Sequence, residues 1–170
     1  MIRTETVLDS WTTVRQDTAQ AVEDFPAAEL DFKPVADVMT FREIARHILE
    51  AGHAITGLLL DGVEDMAVPQ FREMMKKYMV ELPQTPDATA LAQALRQSVE
   101  QRAAQLAAQP PEFFEKVVTR FDGQRVTRLE MVQFTKEHEL THRAQMFMYL
   151  RMKNVVPATT RRRMAKQQKA

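Results

Sequence analysis

The sequence predicts an all-α protein, a four-helix bundle with one short extra helix. Three observations carry that expectation. The 170-residue chain has only four glycines and long runs of helix formers, which suits one helical domain with one sizeable core. Apolar side chains recur at helical spacing in several long segments. Two Thr-x-x-Glu capping boxes, at Thr40 and Thr127, mark helix starts.

In chain order, residues 4–24 carry Val7, Trp11, Val14 and Val22, with Thr18 between. That is the stripe of one buried helix face, and Trp11 at this spacing reads as core. Phe25-Pro26 closes the helix, since proline cannot continue it. Residues 26–39 read as a loop. The box Thr40-Phe41-Arg42-Glu43 opens a second helix that runs to about Leu60, and Asp61-Gly62 stops it. A short third helix covers Gln70–Tyr78. Thr85-Pro86-Asp87 reads as a cap, a proline at the first helical position and an early acid. The helix it opens ends before Pro110-Pro111. Residues 112–126 are open between readings, one of them a small hairpin over 117–126 around Asp122-Gly123. Thr127-Arg128-Leu129-Glu130 then opens the last long helix, which reaches about Lys153. There is no repeat. The bundle is expected to occupy residues 1–157, followed by a flexible basic tail over 158–170.

Composition narrows the chemistry. Without cysteine, the chain offers no disulfide, no thiolate ligand and no Cys nucleophile. Any metal must be held by His, Asp or Glu. Net charge is zero, yet Arg161, Arg162, Arg163, Lys166 and Lys169 share a tail free of acids, so the body is mildly acidic. The tail has no interleaved aromatics, and the expected partners include no nucleic acid and no membrane. The start "MIRTETVLDSW" holds no apolar signal core, and the run "AITGLLL" is too short to span a bilayer. The expectation is a soluble, cytoplasmic protein.

The stretch "KEHELTHRAQ" contains His138-Glu139-Leu140-Thr141-His142, which spells H-E-x-x-H. At about 100° per residue, Met131, Phe134, His142, Gln145, Tyr149 and Met152 fall within roughly 40° of His138. Both histidines are therefore expected to face the core, where neighbours at i and i+4 can close on one ion. A peptidase of this signature takes its third ligand downstream. Residues 143–170 contain no His, Asp or Glu, so a third ligand must lie upstream. On the second helix, His47 edges the face of Ile44, Ala51, Ala54 and Leu58. His53 falls roughly 120° away, toward Arg42, Arg46 and Glu50. The expected ligands are His47, His138 and His142. A di-iron alternative pairs Glu50-Ala51-Gly52-His53 with Glu139-Leu140-Thr141-His142 and adds Glu23 and Glu100. Aiming Glu50 and His53 inward would expose Ile44, Ile48 and Leu58, which argues against it.

With these residues in view, "HELTHRAQMFMYLRMKNVVP", preceded by "DFKPVADVMTFREIARHILEAGH", resembles the DinB-like (YfiT-type) superfamily. The resemblance spans residues 1 to about 157. Its pattern is a His on the second helix and H-x-x-x-H-R-x-Q on the last. His47, His138 and His142 match its metal positions; Arg143, Gln145, Leu150, Arg151 and Pro157 match their surroundings. Ala144 and Asn154 stand where the pattern commonly has glycine, and Asn is able to take the same left-handed turn. The resemblance implies a bundle, often dimeric, with one divalent metal ion on three histidines and open coordination positions. Zinc and nickel both suit neutral imidazoles. Eleven methionines, several on the last helix, also suit the seam of a homodimer.

Relatives of this kind include thiol-dependent transferases and isomerases. The leading expectation is accordingly a metal-dependent thiol S-transferase, whose partners are a low-molecular-weight thiol and a small electrophile. A metal-assisted hydrolase with Glu139 as base is the second reading. A non-catalytic metal-binding or interaction module is the third. For Glu139 itself, a hydrogen bond to a ligand or to Arg143 is favoured over the role of base.

Overall fold

The computed structural model describes residues 3–168. Its long helices are α1 (Thr4–Asp24), α2 (Phe41–Leu60), α4 (Ala88–Ala107) and α6 (Arg128–Met152). The shorter elements are α3 (Phe71–Lys76), α5 (Pro111–Glu115), α7 (Ala158–Gln167) and the strands β1 (Val117–Thr119) and β2 (Arg125–Thr127).

Both capping boxes form. Thr40 accepts from the Glu43 amide, and the Glu43 carboxylate accepts from the Thr40 N–H at 2.7 Å. Thr127 and Glu130 repeat the arrangement. The start of α4 differs from the expected Thr85 cap. Asp87 is the N-cap and accepts from Ala90 N at 2.7 Å. Pro86 lies outside the helix, its carbonyl held by Arg42. A carboxylate in that position also answers the helix dipole, which a Thr hydroxyl does less well. Gly62 (φ 80) follows α2 and Gly123 (φ 84) sits in the hairpin turn, both in the left-handed region that favours glycine. Asn154 takes φ 58 just after α6, the left-handed turn expected of it.

Cross-helix pairs give the topology. Arg15 meets Glu139 and Asp17 meets Arg143, so α1 and α6 run parallel. His47 meets His138 and Tyr149 reaches the Met39 carbonyl, so α2 and α6 are antiparallel. Arg42 with Pro86 and His53 with Ser98 make α2 and α4 parallel. Arg96 pairs with Glu23, which sets α4 against α1. The consecutive helices α1 and α2 are thus diagonal, and each lies between α4 and α6. The parallel α2–α4 step needs the long crossover that holds α3. That crossover is pinned to the hairpin: Met66 N donates to Thr119 O at 2.8 Å and Thr119 N to Glu64 O at 2.7 Å. The hairpin pairs Val118 with Val126.

The core is divided. One apolar cluster gathers Val22, Phe25, Phe41, Ile44, Ile48, Leu95 and Met146 at one end. The other gathers Leu8, Trp11, Ile55, Leu58, Val99 and Met131 at the opposite end. Between them lie buried polar residues, among them Arg15, Thr18, Ser98 and Glu139.

The segment expected as a loose basic tail forms α7 as far as Gln167. Arg161 pairs with Asp24 at 2.8 Å, and Arg162 pairs with Asp17. The Asn154 turn sends the chain back along α1, where the acids of α1 meet the arginines. Lys169 lies outside the described residues. Among the described residues, no helix is long and apolar enough to cross a membrane.

Candidate metal centre

His47 on α2 and His138 and His142 on α6 converge. One ring nitrogen from each lies within 4.8 Å of the others, and all three side chains are half-buried. The Nε2 atoms of His47 and His138 are 3.1 Å apart. The rings stand edge to face, with centroids 4.9 Å (47–138), 4.7 Å (47–142) and 4.6 Å (138–142) apart. Two imidazoles on one ion at about 2.1 Å each bring their nitrogens to roughly 3.0–3.4 Å. The His47–His138 separation falls in that range, and His142 offers its nitrogen within 4.8 Å of both. Burial pushes the His138 ring down to about 4, with His142 and His47 adding to the effect. Burial, then His142, also lowers His47, against a small opposing pull from Glu50. These two rings are thus neutral at pH 7, the form that binds metal. His142 Nδ1 donates to Gln145 Oε1 at 2.9 Å, which leaves the Nε2 lone pair free.

Two facing expectations need correction. The buried stripe of α6 runs through Met131, Val132, Thr135, Glu139, Met146, Tyr149 and Leu150, so Met131 and Tyr149 lie on it as expected. His138 and His142 lie on its α2-facing flank, and Met152 is exposed. Glu139 itself points into the bundle, 1% exposed. Trp11 Nε1 donates to it at 3.0 Å, Arg15 Nε at 2.9 Å to both oxygens, and the Thr18 hydroxyl at 2.8 Å. Neither a histidine nor Arg143 is its hydrogen-bond partner; Arg143 bonds Asp17 and the Val14 carbonyl instead. The parallel packing of α1 explains this, because it brings a cation and two polar side chains to the middle of the α6 stripe. Arg15 and its contact with Glu139 were not read from the sequence. A signal existed: Arg15 sits about 40° from Trp11 on an otherwise apolar face, and a charge there calls for a buried partner.

His53 is half-buried in the α2–α4 seam, Nδ1 3.0 Å from Ser98 Oγ. Glu50 pairs with Arg46 at 2.7 Å and Glu23 with Arg96. With Glu139 held by Arg15, three of the four carboxylates of the di-iron reading are engaged elsewhere, and Glu100 is exposed. Among the described residues, the group that is able to share one ion is the three histidines.

One side of the cluster is aromatic. Phe134 lies 6.3 Å from His138, Phe121 5.6 Å from Phe134, and Phe71 5.5 Å from Phe121, centroid to centroid. The Arg120 guanidinium caps Phe134 at 4.6 Å. Phe71 and Phe121 line a cleft of about 430 Å³ with Met66 and Arg72.

Fold and site together define a bundle of two parallel helix pairs, with three histidines shared by the second and last long helices. The chain belongs to the DinB family, which it matches over residues 1–169. Among solved structures it is similar to the DinB-like protein YjoA of Bacillus subtilis, with 19% identity and TM-score 0.68, covering 88% of this chain and 92% of that one. YfiT of Bacillus subtilis, described as a probable metal-dependent hydrolase with an unusual four-helix bundle topology, matches at 15% identity and TM-score 0.63. That match covers 88% of this chain and 90% of YfiT. A mycothiol-dependent maleylpyruvate isomerase matches at 14% identity and TM-score 0.61, over 83% of this chain but 59% of the isomerase. At these identities the likeness concerns the fold. No curated protein matches the sequence.

Proposed function

We propose that this is a metal-dependent enzyme that transfers the sulfur of a low-molecular-weight thiol to a small electrophile, with His47, His138 and His142 holding one zinc or nickel ion. The observation that carries the metal reading is the convergence of three imidazoles, two of them facing through Nε2 atoms 3.1 Å apart. When bound, such an ion supplies a positive charge that lowers the pKa of a thiol or a water.

Thiol transfer is favoured over hydrolysis by the surroundings. Hydrolysis calls for a base beside the ion, and Glu139 is saturated by Trp11, Arg15 and Thr18 inside the bundle. A thiol needs only to lose its proton to solvent; its sulfur then bonds the acceptor carbon as that carbon's bond to a leaving group breaks, the leaving group departing with the electron pair. The protein has no cysteine to do this itself. Phe134, Phe121 and Phe71 offer an apolar wall beside His138 for the electrophile. Gln145 orients the His142 ring. Met148 and Met152, exposed on the outer face of α6, support the expectation of a homodimer.

Metal analysis of untagged protein tests the reading, followed by assays of an electrophile with each thiol in turn. One equivalent of divalent ion and thiol-dependent loss of the electrophile are expected. Protein that binds no divalent ion, or turnover by water alone, refutes it.

A further inference from the structure

Arg15 is fully buried at the centre of the bundle, on a helix that contributes no histidine to the cluster. Its Nε bridges both Glu139 oxygens at 2.9 Å, and its Nη2 donates to the Ile48 carbonyl at 3.4 Å. Glu139 follows His138 and precedes His142 by three residues; Ile48 follows His47. One guanidinium therefore ties both histidine-bearing helices together at the level of the cluster. Gly52, one turn beyond Ile48, makes room for it. A Cβ there would lie 2.6 Å from Nη2 and 3.4 Å from the Trp11 ring.

Stability is a poor explanation for this arrangement. A buried ion pair is often no better than well-packed apolar side chains of the same volume. Here Arg15 Nη1 also has no hydrogen-bond partner among the described residues, which costs further. What the contact does provide is alignment. The apolar clusters lie toward the two ends of the bundle, and apolar packing tolerates small slides and rotations. A metal site does not, since its ligands must be held within about 0.5 Å. The bonds from Arg15, Trp11 and Thr18 to Glu139 fix the rotation of α6. The bond to Ile48 fixes the level of α2.

We infer that Arg15 and Glu139 form a strut that positions the three histidines, and that Gly52 is the seat the strut requires. The role in metal binding rests on the reading of the histidines as ligands; the role in ring convergence does not. Two variants test it. Arg15→Lys keeps the buried charge but loses the fork that spans Glu139 and Ile48. Gly52→Ala leaves Arg15 and Glu139 in place but displaces the guanidinium.

Two readouts apply to each variant, with circular dichroism to verify helicity. One is Co²⁺ affinity by competition with a chromophoric chelator, together with the Co²⁺ absorption spectrum. The other is the NMR contact between the His47 and His138 rings in chelated, metal-free protein. At least one variant should stay helical, bind Co²⁺ about 10- to 100-fold more weakly than wild type, show an altered spectrum and lose the ring contact. A purely structural Arg15 would lower the melting temperature and leave affinity, spectrum and ring contact unmoved, which overturns the proposal. If wild type does not bind Co²⁺, the metal reading fails by itself. Ring contacts retained in both variants would then still overturn the strut, and their loss would sustain it.

Discussion

Replacing His142 with alanine should separate the metal site from the fold. The side chain is half-buried and touches His47 and His138 edge-on, and its hydrogen bond to Gln145 is exposed. Losing those contacts should cost about 1 kcal/mol. For a chain of this size that lowers the melting temperature by roughly 2–4 °C. The effect on metal should be far larger. Free ion at a hundred times the wild-type Kd stabilises the folded state by about 2.7 kcal/mol, a rise of roughly 5–11 °C. If the loss of one imidazole in three weakens binding at least as much as the loss of an outer-shell partner does, about 100-fold, the same ion concentration stabilises the variant by no more than about 0.4 kcal/mol. Thermal melts with and without Zn²⁺, alongside metal content and circular dichroism, read all three quantities. A variant that keeps the wild-type shift shows that His142 is not a ligand. One that is unfolded at room temperature makes the site structural, and the enzyme proposal would then give way to a binding module.

Further outcomes follow from individual contacts. Trp11→Phe removes a fully buried donor from Glu139 and should cost about 1–3 kcal/mol, seen as a lower urea midpoint at unchanged m-value; an unchanged midpoint would mean the bond contributes nothing. His53 has its pKa pushed down to about 4, by burial first and then by Arg102 and Arg15. Between pH 6.5 and 4 the unfolded chain therefore binds the extra proton, and stability contributed by His53 is lost as pH falls through that window. Melting temperatures of metal-free protein should decline more steeply there for wild type than for His53→Gln, and equal slopes would contradict the assignment. Truncation after Ala158 removes two exposed ion pairs to α1, each worth about 0–1 kcal/mol; a melting point lower by more than about 10 °C would show that α7 contributes well beyond those pairs.

What the amino-acid sequence determined by itself was local. The boxes at Thr40 and Thr127 and the stop at Asp61-Gly62 depend on residues a few positions apart, and each is present in the fold; the hairpin at Asp122-Gly123, one of the readings left open for residues 112–126, also forms. Helical periodicity was enough to bring His47, His138 and His142 forward together. Periodicity also misplaced them slightly. It set His138 at the centre of the α6 stripe, because aligning apolar side chains gives no weight to a buried charge such as Glu139. Only the tertiary structure decided that α1 runs parallel to α6. That arrangement brings Arg15, Trp11 and Thr18 onto Glu139 and turns the charged residue inward, while the histidines move to the flank that meets α2. It also decided that Arg161 and Arg162 meet acids on α1. Local signals report the conformation of a few neighbouring residues. The partner of a buried charge is set by helix direction and order, and in this chain the partner of Glu139 lies 124 positions away.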